Sequence, residues 1–310
     1  MLITCEQCQA RYNLADHLIT RPQMKVRCSK CNHIFMANRP DVVEPAMLLP
    51  EEAALPEQEL RIITVSNQKG GVAKTSTALN LAASLATLGR RVLLVDFDMQ
   101  SSLTIALGMG KNAKSFYDLL HVPGNTLQEI IQKTKYPNLW LLPSNPNMAL
   151  LAKKNLTEKN FEHILRDRLE TIRTRIDHII IDTPPSLEFF TLNALMASDF
   201  AIIPTPCEYL SMHGVAHMDE AIGVINKLHG KKIAYKILIT MFNPDNTAVK
   251  VIFNKLKEKY SDRLFRTIIE LDTKVQESQI MNAPVIHYDK ASVAAGQYLE
   301  LARELTGQTD

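Results

Sequence analysis

Five short apolar runs punctuate the chain from Arg61 onward: "RIITVS", "RVLLVD", "HIIID", "FAIIP" and "KILIT". Each is four to six residues of mostly Ile, Val and Leu with no polar alternation, the pattern of strands buried on both faces of a parallel sheet. Between them the apolar period lengthens to that of a helix. In Thr75–Leu88, for example, Ala78, Leu79, Ala82, Leu85 and Ala86 fall on one face, and Tyr298, Leu301 and Leu305 repeat that spacing near the end. Strand and helix alternating over some 250 residues predict a doubly wound α/β domain with a mostly parallel sheet. No internal repeat is visible.

Upstream of Arg61 the pattern breaks twice. Residues 39–60, "RPDVVEPAMLLPEEAALPEQEL", hold four prolines and six carboxylates, and no helix or strand period survives the prolines. They read as an acidic, semi-extended linker. Residues 1–38 carry four cysteines, only two acidic residues (Glu6, Asp16) and five basic ones (Arg11, Arg21, Lys25, Arg27, Lys30). The predicted organisation is therefore a small module at 1–38, a linker at 39–60 and a large domain at 61–310.

Composition narrows the function classes. A formal charge of +2 over 310 residues gives a weak average field, so affinity for nucleic acid requires a local patch. No apolar run approaches the roughly 18–20 residues of a membrane span, and "MLITCEQCQARY" lacks the apolar stretch of a secretion signal. A cytoplasmic chain is expected, in which cysteines crowded into the first 31 residues point to metal rather than disulfides.

The chemistry concentrates in "RIITVSNQKGGVAKTSTALNLA": strand, glycine loop, helix. Backbone N–H groups of such a loop and the helix N-terminus together cradle phosphate oxygens, so Gly70, Gly71, Val72, Ala73, Lys74, Thr75 and Ser76 form a candidate phosphate site. Lys74 is placed to reach the β- and γ-phosphates and the Thr75 hydroxyl to ligate Mg²⁺. Asp96 and Asp98 follow one buried strand and Asp182 ends another; carboxylates there face the ligand crevice of a parallel sheet. Asp182 can hold Mg²⁺ through a water, and Asp98 can orient the attacking water.

The motifs "KGGVAKTS", "VDFDMQ", "IIIDTPPSL", "LNALMASDFAIIPTPCEYLSMHG" and "APVIHYDKASVAAGQYLELARELTG" together resemble the ParA/Soj group of the ParA/MinD ATPases, over essentially all of residues 61–307. The resemblance implies an ATP- and Mg²⁺-dependent homodimer with two nucleotides between the subunits. Hydrolysis would be stimulated by a ParB-like or other protein, on the nucleoid where DNA is the cargo. By the same resemblance Lys69 crosses to the partner's ATP, Lys74 is the ordinary loop lysine, and Asp98 activates water. Asp96 takes a metal position one step removed, and Asp182 is the Walker B carboxylate.

The chain departs from that pattern in places. Ala73 replaces a usual glycine and is expected to alter loop geometry slightly without loss of binding. Met99 and Ser101–Ser102 replace a usual Pro and Gly-Asn, which bears on how Asp98 is held. In the segments the resemblance assigns to non-specific DNA binding, Asp245, Glu270 and Asp272 bring negative charge. Lys250, Lys255, Lys257, Lys259, Arg263, Arg266 and Lys274 offer either a basic face or an ordinary solvated surface.

Cys5-x2-Cys8 and Cys28-x2-Cys31, separated by 19 residues, have the spacing of a four-cysteine zinc site. An iron–sulfur cluster also suits four thiolates. So short a segment needs a metal for its folding free energy, with Tyr12 and Phe35 expected to pack over the two knuckles; it resembles short zinc-ribbon modules. His213 and His217 stand four apart but have no evident third ligand. A single Cys207 in the large domain cannot supply the cysteine pair needed for a cluster bridging a dimer.

Three functions follow from these readings. The first is an ATP-driven switch that partitions DNA or positions another cargo. The second is an adaptor with the same switch, whose ribbon docks on a chemosensory, flagellar or other protein assembly. The third, a membrane-surface switch, needs a basic amphipathic C-terminal helix, where the chain places Glu300 and Glu304.

Overall fold

The structure, a computed structural model, describes residues 2–13, 23–38, 61–110, 113–155 and 160–308. The chain divides into two compact units, Met1–Leu48 and Leu49–Asp310. The acidic linker foreseen at 39–60 lies outside the described residues.

In the first unit, β1 (Leu2–Thr4) pairs antiparallel with β2 (Arg11–Asn13), and β3 (Gln23–Arg27) pairs antiparallel with β4 (Ile34–Asn38). The Cys5–Cys8 knuckle joins the first pair and Cys28–Cys31 the second. They are built alike: Gln9 N–H donates to Cys5 O and Asn32 N–H to Cys28 O, both at 2.9 Å. Gln9 and Asn32 each take a left-handed backbone, φ 58° and 61°, which turns the chain sharply after the second cysteine. Ile3, Cys5, Cys28 and Phe35 form a buried cluster in this unit, a core too small to hold it without further support.

The second unit is a sheet of eight strands. In chain order these are β5 (Arg61–Val65), β6 (Val92–Asp96), β7 (Gln132–Lys133), β8 (Leu139–Leu142), β9 (His178–Asp182), β10 (Phe200–Pro206), β11 (Ala234–Phe242) and β12 (Leu264–Glu270). Across the sheet they run β12-β11-β10-β5-β9-β6-β8-β7, all parallel except the β7–β8 edge pair. The five apolar runs of the sequence are the five central strands. Their alternate side chains feed opposite cores: Ile63, Val65, Val92, Leu94 and Ile180 face one side, and Ile62, Leu93, Val95, Ile179 and Ile181 the other. Both faces are covered, which is why no polar alternation marked them.

Helix α1 (Lys74–Thr87) follows β5. Its residues Thr77–Ala86 are all buried, so it has no exposed face such as an amphipathic reading implies. It lies between the sheet and α12 (Val293–Thr306), whose Tyr298, Leu301 and Leu305 enter the same core. Along the chain between them come α2 (Ser102–Ala106), α3 (Phe116–His121), α4 (Leu127–Ile130), α5 (Met148–Asn155), α6 (Ile164–Leu169) and α7 (Phe189–Ala197), then α8 (Ser211–His229), α9 (Thr247–Tyr260), α10 (Thr273–Ile280) and α11 (Val285–Tyr288). Helices α3 to α7 pack on one half of the opposite face and α8 and α9 on the other half.

The topology reverses at β5, where chain order proceeds in opposite directions on its two sides. In open α/β sheets the ligand crevice forms at that point, beyond the carboxyl ends of the strands. The loop after β5 opens there.

Candidate functional site

The loop Gly70–Ala73 is held from several sides. At its entrance Asn67 is buried; its Nδ2 donates to Pro204 O at 2.8 Å and its Oδ1 accepts Lys69 N–H at 3.0 Å. Gly214 in α8 approaches so closely that a Cβ would stand 3.1 Å from Asn67 Oδ1. On the far side Thr240 Oγ1 donates to Val72 O at 3.2 Å, tying the loop to β11. Gln279 of α10 donates to Ser76 Oγ at 2.7 Å. Nothing lies within 4 Å of the space a Cβ would take at Gly70 or Gly71, so the loop backbone faces an open cleft of about 630 Å³.

Ala73 caps α1 at φ 67°, ψ 30°, in the left-handed region. The loop therefore keeps the backbone a glycine would take, and the expected change of geometry is instead a cost in strain. Ser101, at the other departure from the usual glycine, does the same at φ 56°. For an L-residue this conformation costs roughly 1–2 kcal/mol, partly offset because alanine leaves the unfolded chain about 0.4–1 kcal/mol less entropy to lose. Ala73→Gly is expected to stabilise the large unit by about 0.5 kcal/mol. The check is denaturant unfolding followed by the fluorescence of Trp140, the only tryptophan, buried in β8.

Lys74 is enclosed, and its Nζ donates to Lys69 O at 2.9 Å, closing the loop on itself. Burial holds its ammonium below the usual lysine value, while the nearby Asp182 and Asp98 favour the charge. Thr75 Oγ1 donates to Asp182 Oδ2 at 2.7 Å. The other oxygen of Asp182, Oδ1, is buried without a partner, and burial together with the neighbouring Asp96 pushes this carboxyl well above the ordinary carboxylate range. A buried carboxylate oxygen left without a donor, beside a threonine hydroxyl and a phosphate-type loop, is an arrangement that a divalent cation completes. The residues present thus fit Mg²⁺.

Asp96 is engaged differently. Its Oδ2 accepts both Thr104 N–H (2.7 Å) and Thr104 Oγ1 (2.6 Å), and its Oδ1 faces Asp98 N–H at 3.4 Å. Burial pushes it up to about 6. It fastens α2 under the cleft, leaving Asp182 as the carboxylate with an unspent buried oxygen. Asp98 lines the cleft; its Oδ1 accepts Gln100 N–H at 2.9 Å. Its carbonyl is pinned by Ser101 N–H at 3.0 Å and Ser144 Oγ at 2.6 Å, so the turn is firm without the usual Pro and Gly. Met99 packs into the core below.

Lys69 is not brought into its own cleft. Its ammonium is held outside by the Glu208 carboxylate, which follows β10.

The far end of the cleft is lined by Met241, Glu270, Leu271 and Asp272, none of which sequence reasoning placed there. Two of them, Glu270 and Asp272, bring negative charge to segments the resemblance assigns to DNA binding, and both are engaged within the chain. Glu270 exchanges hydrogen bonds with Gln297, and Asp272 caps α10 through Lys274 N–H (2.8 Å) while its other oxygen accepts Ala294 N–H (3.1 Å). Glu304, expected on a solvated face of α12, is almost wholly enclosed and accepts Arg266 N–H, Thr267 N–H and Thr267 Oγ1. These carboxylates hold the last strand and helices together.

In the small unit the four sulfurs lie within 4.8 Å of one another, with Cys5–Cys31 at 3.7 Å and Cys8–Cys28 at 3.5 Å, and none forms a disulfide. Tetrahedral Zn²⁺ with bonds of about 2.3 Å separates its sulfurs by about 3.8 Å, so the four thiols, all within 4.8 Å of one another, fit one ion. Tyr12 Oη lies 2.9 Å from Cys28 Sγ and accepts Lys30 N–H at 3.2 Å, an outer contact that orients the second knuckle.

Comparison with known proteins finds a family match for each unit. Residues 60–235 match the AAA domain family, and residues 1–36 match the zinc-ribbon domain family. The chain is 36% identical over 249 residues to the sporulation initiation inhibitor protein Soj of Bacillus subtilis, covering 79% of this chain and 98% of that one. It is 35% identical to the chromosome partitioning protein ParA of Myxococcus xanthus, covering 79% and 87%. Among solved structures, the cobyrinic acid a,c-diamide synthase of Mycobacterium smegmatis with bound ADP and magnesium superposes with a TM-score of 0.69 at 28% identity, covering 81% of this chain and 97% of that one.

Proposed function

The chain belongs to the ParA/Soj family of P-loop ATPases, and from that membership we propose a switch that dimerises on ATP and hydrolyses it to ADP and phosphate to position DNA or another large cargo. The observation that carries the reading is the unpartnered Asp182 Oδ1 beside Thr75 Oγ1, at the mouth of the loop that holds Lys74. Mg²⁺ held by Thr75, and by Asp182 directly or through a water, supplies charge that offsets the phosphate oxygens. Lys74 and the N–H groups of Gly70–Ser76 grip the phosphates. Asp98, firmly seated and facing the cleft, orients the attacking water and takes its proton. Lys69 serves the partner's nucleotide, and a ParB-like or other protein triggers turnover.

DNA is the first candidate cargo, on the ParA likeness. Of the two arginines foreseen for its surface, Arg263 pairs with Asp219 at 2.8 Å and stacks on Tyr235, whereas the Arg266 side chain stays exposed, 4.0 Å from Glu304. Lys274 pairs with Glu277 at 2.8 Å. Lys250, Lys255, Lys257 and Lys259 of α9 stay exposed. With one phosphate for each, the logarithm of DNA affinity falls against the logarithm of salt with a slope of about −3.6 per subunit. Titrating a DNA duplex with salt in ATP and in ADP tests this. ATP-dependent binding with that shallow slope is expected; no ATP-dependent binding at low salt would sink the DNA reading.

The pairing of Arg263 with Asp219 and Tyr235, which thins the basic surface, favours a second reading, an adaptor with the same switch and a zinc ribbon that docks on a protein assembly. A membrane-surface switch finds no support: the apolar face of α12 is already packed against α1 and β12, and no helix among the described residues is long and apolar enough to cross a membrane.

A further inference from the structure

A second group of metal-binding side chains lies in the large unit, built from segments that neither the nucleotide site nor the ribbon uses. Glu162 and His163 stand in the single helical turn Phe161–His163 that leads into α6, and His229 is the last residue of α8. One donor atom from each falls within 4.8 Å of the other two. Glu162 Oε1 is 3.8 Å from His163 Nε2 and 4.0 Å from His229 Nδ1. Those separations are too long for hydrogen bonds, so the three groups are gathered without being satisfied by one another.

We propose that Glu162, His163 and His229 form a second metal site, for Zn²⁺ or a similar divalent transition ion, that clasps the C-terminal end of α8 to the turn before α6. Three lines of chemistry support it. Two imidazoles and a carboxylate are a donor set for borderline ions, and Mg²⁺ or Ca²⁺ would demand oxygens instead. A tetrahedral ion with bonds of 2.0–2.1 Å keeps its donors about 3.4 Å apart, so the two Glu162 spacings of 3.8 and 4.0 Å close with shifts of about half an ångström, and the two imidazole nitrogens lie within 4.8 Å of one another. Glu162 is only 16% exposed, and among the described residues no lysine or arginine pairs with it. A carboxylate so placed calls for positive charge, which the ion provides.

The site is separate from the nucleotide cleft. Helix α8 spans 19 residues, about 28 Å, and its other end adjoins Glu208. Three protein ligands leave a fourth position for water. Because the ion binds the packed arrangement of α8 and α6 and not the unfolded chain, it stabilises that packing by mass action.

The test uses the full chain with its ribbon already loaded with one Zn²⁺, dialysed against micromolar Zn²⁺. Two equivalents per chain are expected at saturation, and His163→Ala/His229→Ala should retain one. Glu162→Gln keeps the shape and removes the charge. It should weaken the second equivalent by at least about tenfold, since loss of even an outer partner costs a metal site about 10–100-fold. Co²⁺ keeps the two sites distinct, because only the ribbon gives thiolate-to-metal absorption. One equivalent in the parent chain, or a second equivalent of unchanged affinity in both variants, would overturn the proposal.

Discussion

Asp98→Ala is expected to bind ATP about as well as the parent chain and to hydrolyse it at least about a hundredfold more slowly, so that the ATP-bound dimer accumulates. Removing a group that positions and deprotonates the attacking water costs about 10²–10⁴-fold, whereas the phosphate grip belongs to Lys74 and the loop backbone. The surroundings of Asp98 justify separating the two effects. Its main chain is fixed through Ser101 N–H and Ser144 Oγ, so alanine keeps both ties to the turn and loses only the bond from Gln100 N–H to the carboxylate. Burial raises the Asp98 carboxyl above the ordinary range, with Lys74 acting in the other direction. A base must be unprotonated, so the parent's rate should fall on the acid side of a midpoint above the usual carboxylate value; the variant should lose that limb. Single-turnover hydrolysis across pH, with nucleotide binding measured separately, decides the matter. A variant with normal turnover would remove Asp98 from its role.

Much of this site could be read before any coordinates. A strand, a glycine loop with Lys-Thr, and aspartates closing two buried strands are local signals, and the strands they belong to lie at the centre of the sheet. What escaped were features whose cause lies far away in sequence. Leu139–Leu142 and Leu264–Glu270 were not foreseen as strands. The first is a run of only four residues, and the second is an edge strand whose exposed Arg266 and half-buried Ile268 blur the apolar pattern. Glu270, Asp272 and Glu304 looked like surface charge because charge alone is visible in a sequence; the N–H groups they accept come from Gln297 of α12, from the first turns of α10 and α12, and from β12. The left-handed backbone at Ala73 and Ser101 has no signature in those letters, since each residue ordinarily avoids it. Glu162 and His229 are 67 positions apart, so their meeting follows from the end of α8 coming beside the turn before α6 and not from spacing.

Lys69→Ala is expected to bind an ATP analogue and stay monomeric, with partner-stimulated hydrolysis reduced by about a thousandfold or more, the scale of a charge supplied in trans to a transferring phosphoryl group. The geometry separates this lysine from Lys74. Lys74 is enclosed and turned inward, whereas the Lys69 ammonium is 31% exposed and held outside the cleft by Glu208. That ion pair is an easily exchanged anchorage: both partners are substantially open to solvent, and such pairs contribute only about 0–1 kcal/mol. A phosphate cluster on a second subunit carries more charge than one carboxylate and excludes more water when the subunits close, so the exchange favours the dimer. Glu208→Ala supplies the control, because it frees Lys69 without removing it and should dimerise with the ATP analogue at least as well as the parent. Sedimentation of all three chains with a non-hydrolysable analogue and with ADP provides the measurement. If Lys69→Ala dimerised normally, the lysine would be a surface residue with a local partner, and the two-subunit reading of the site would fail with it.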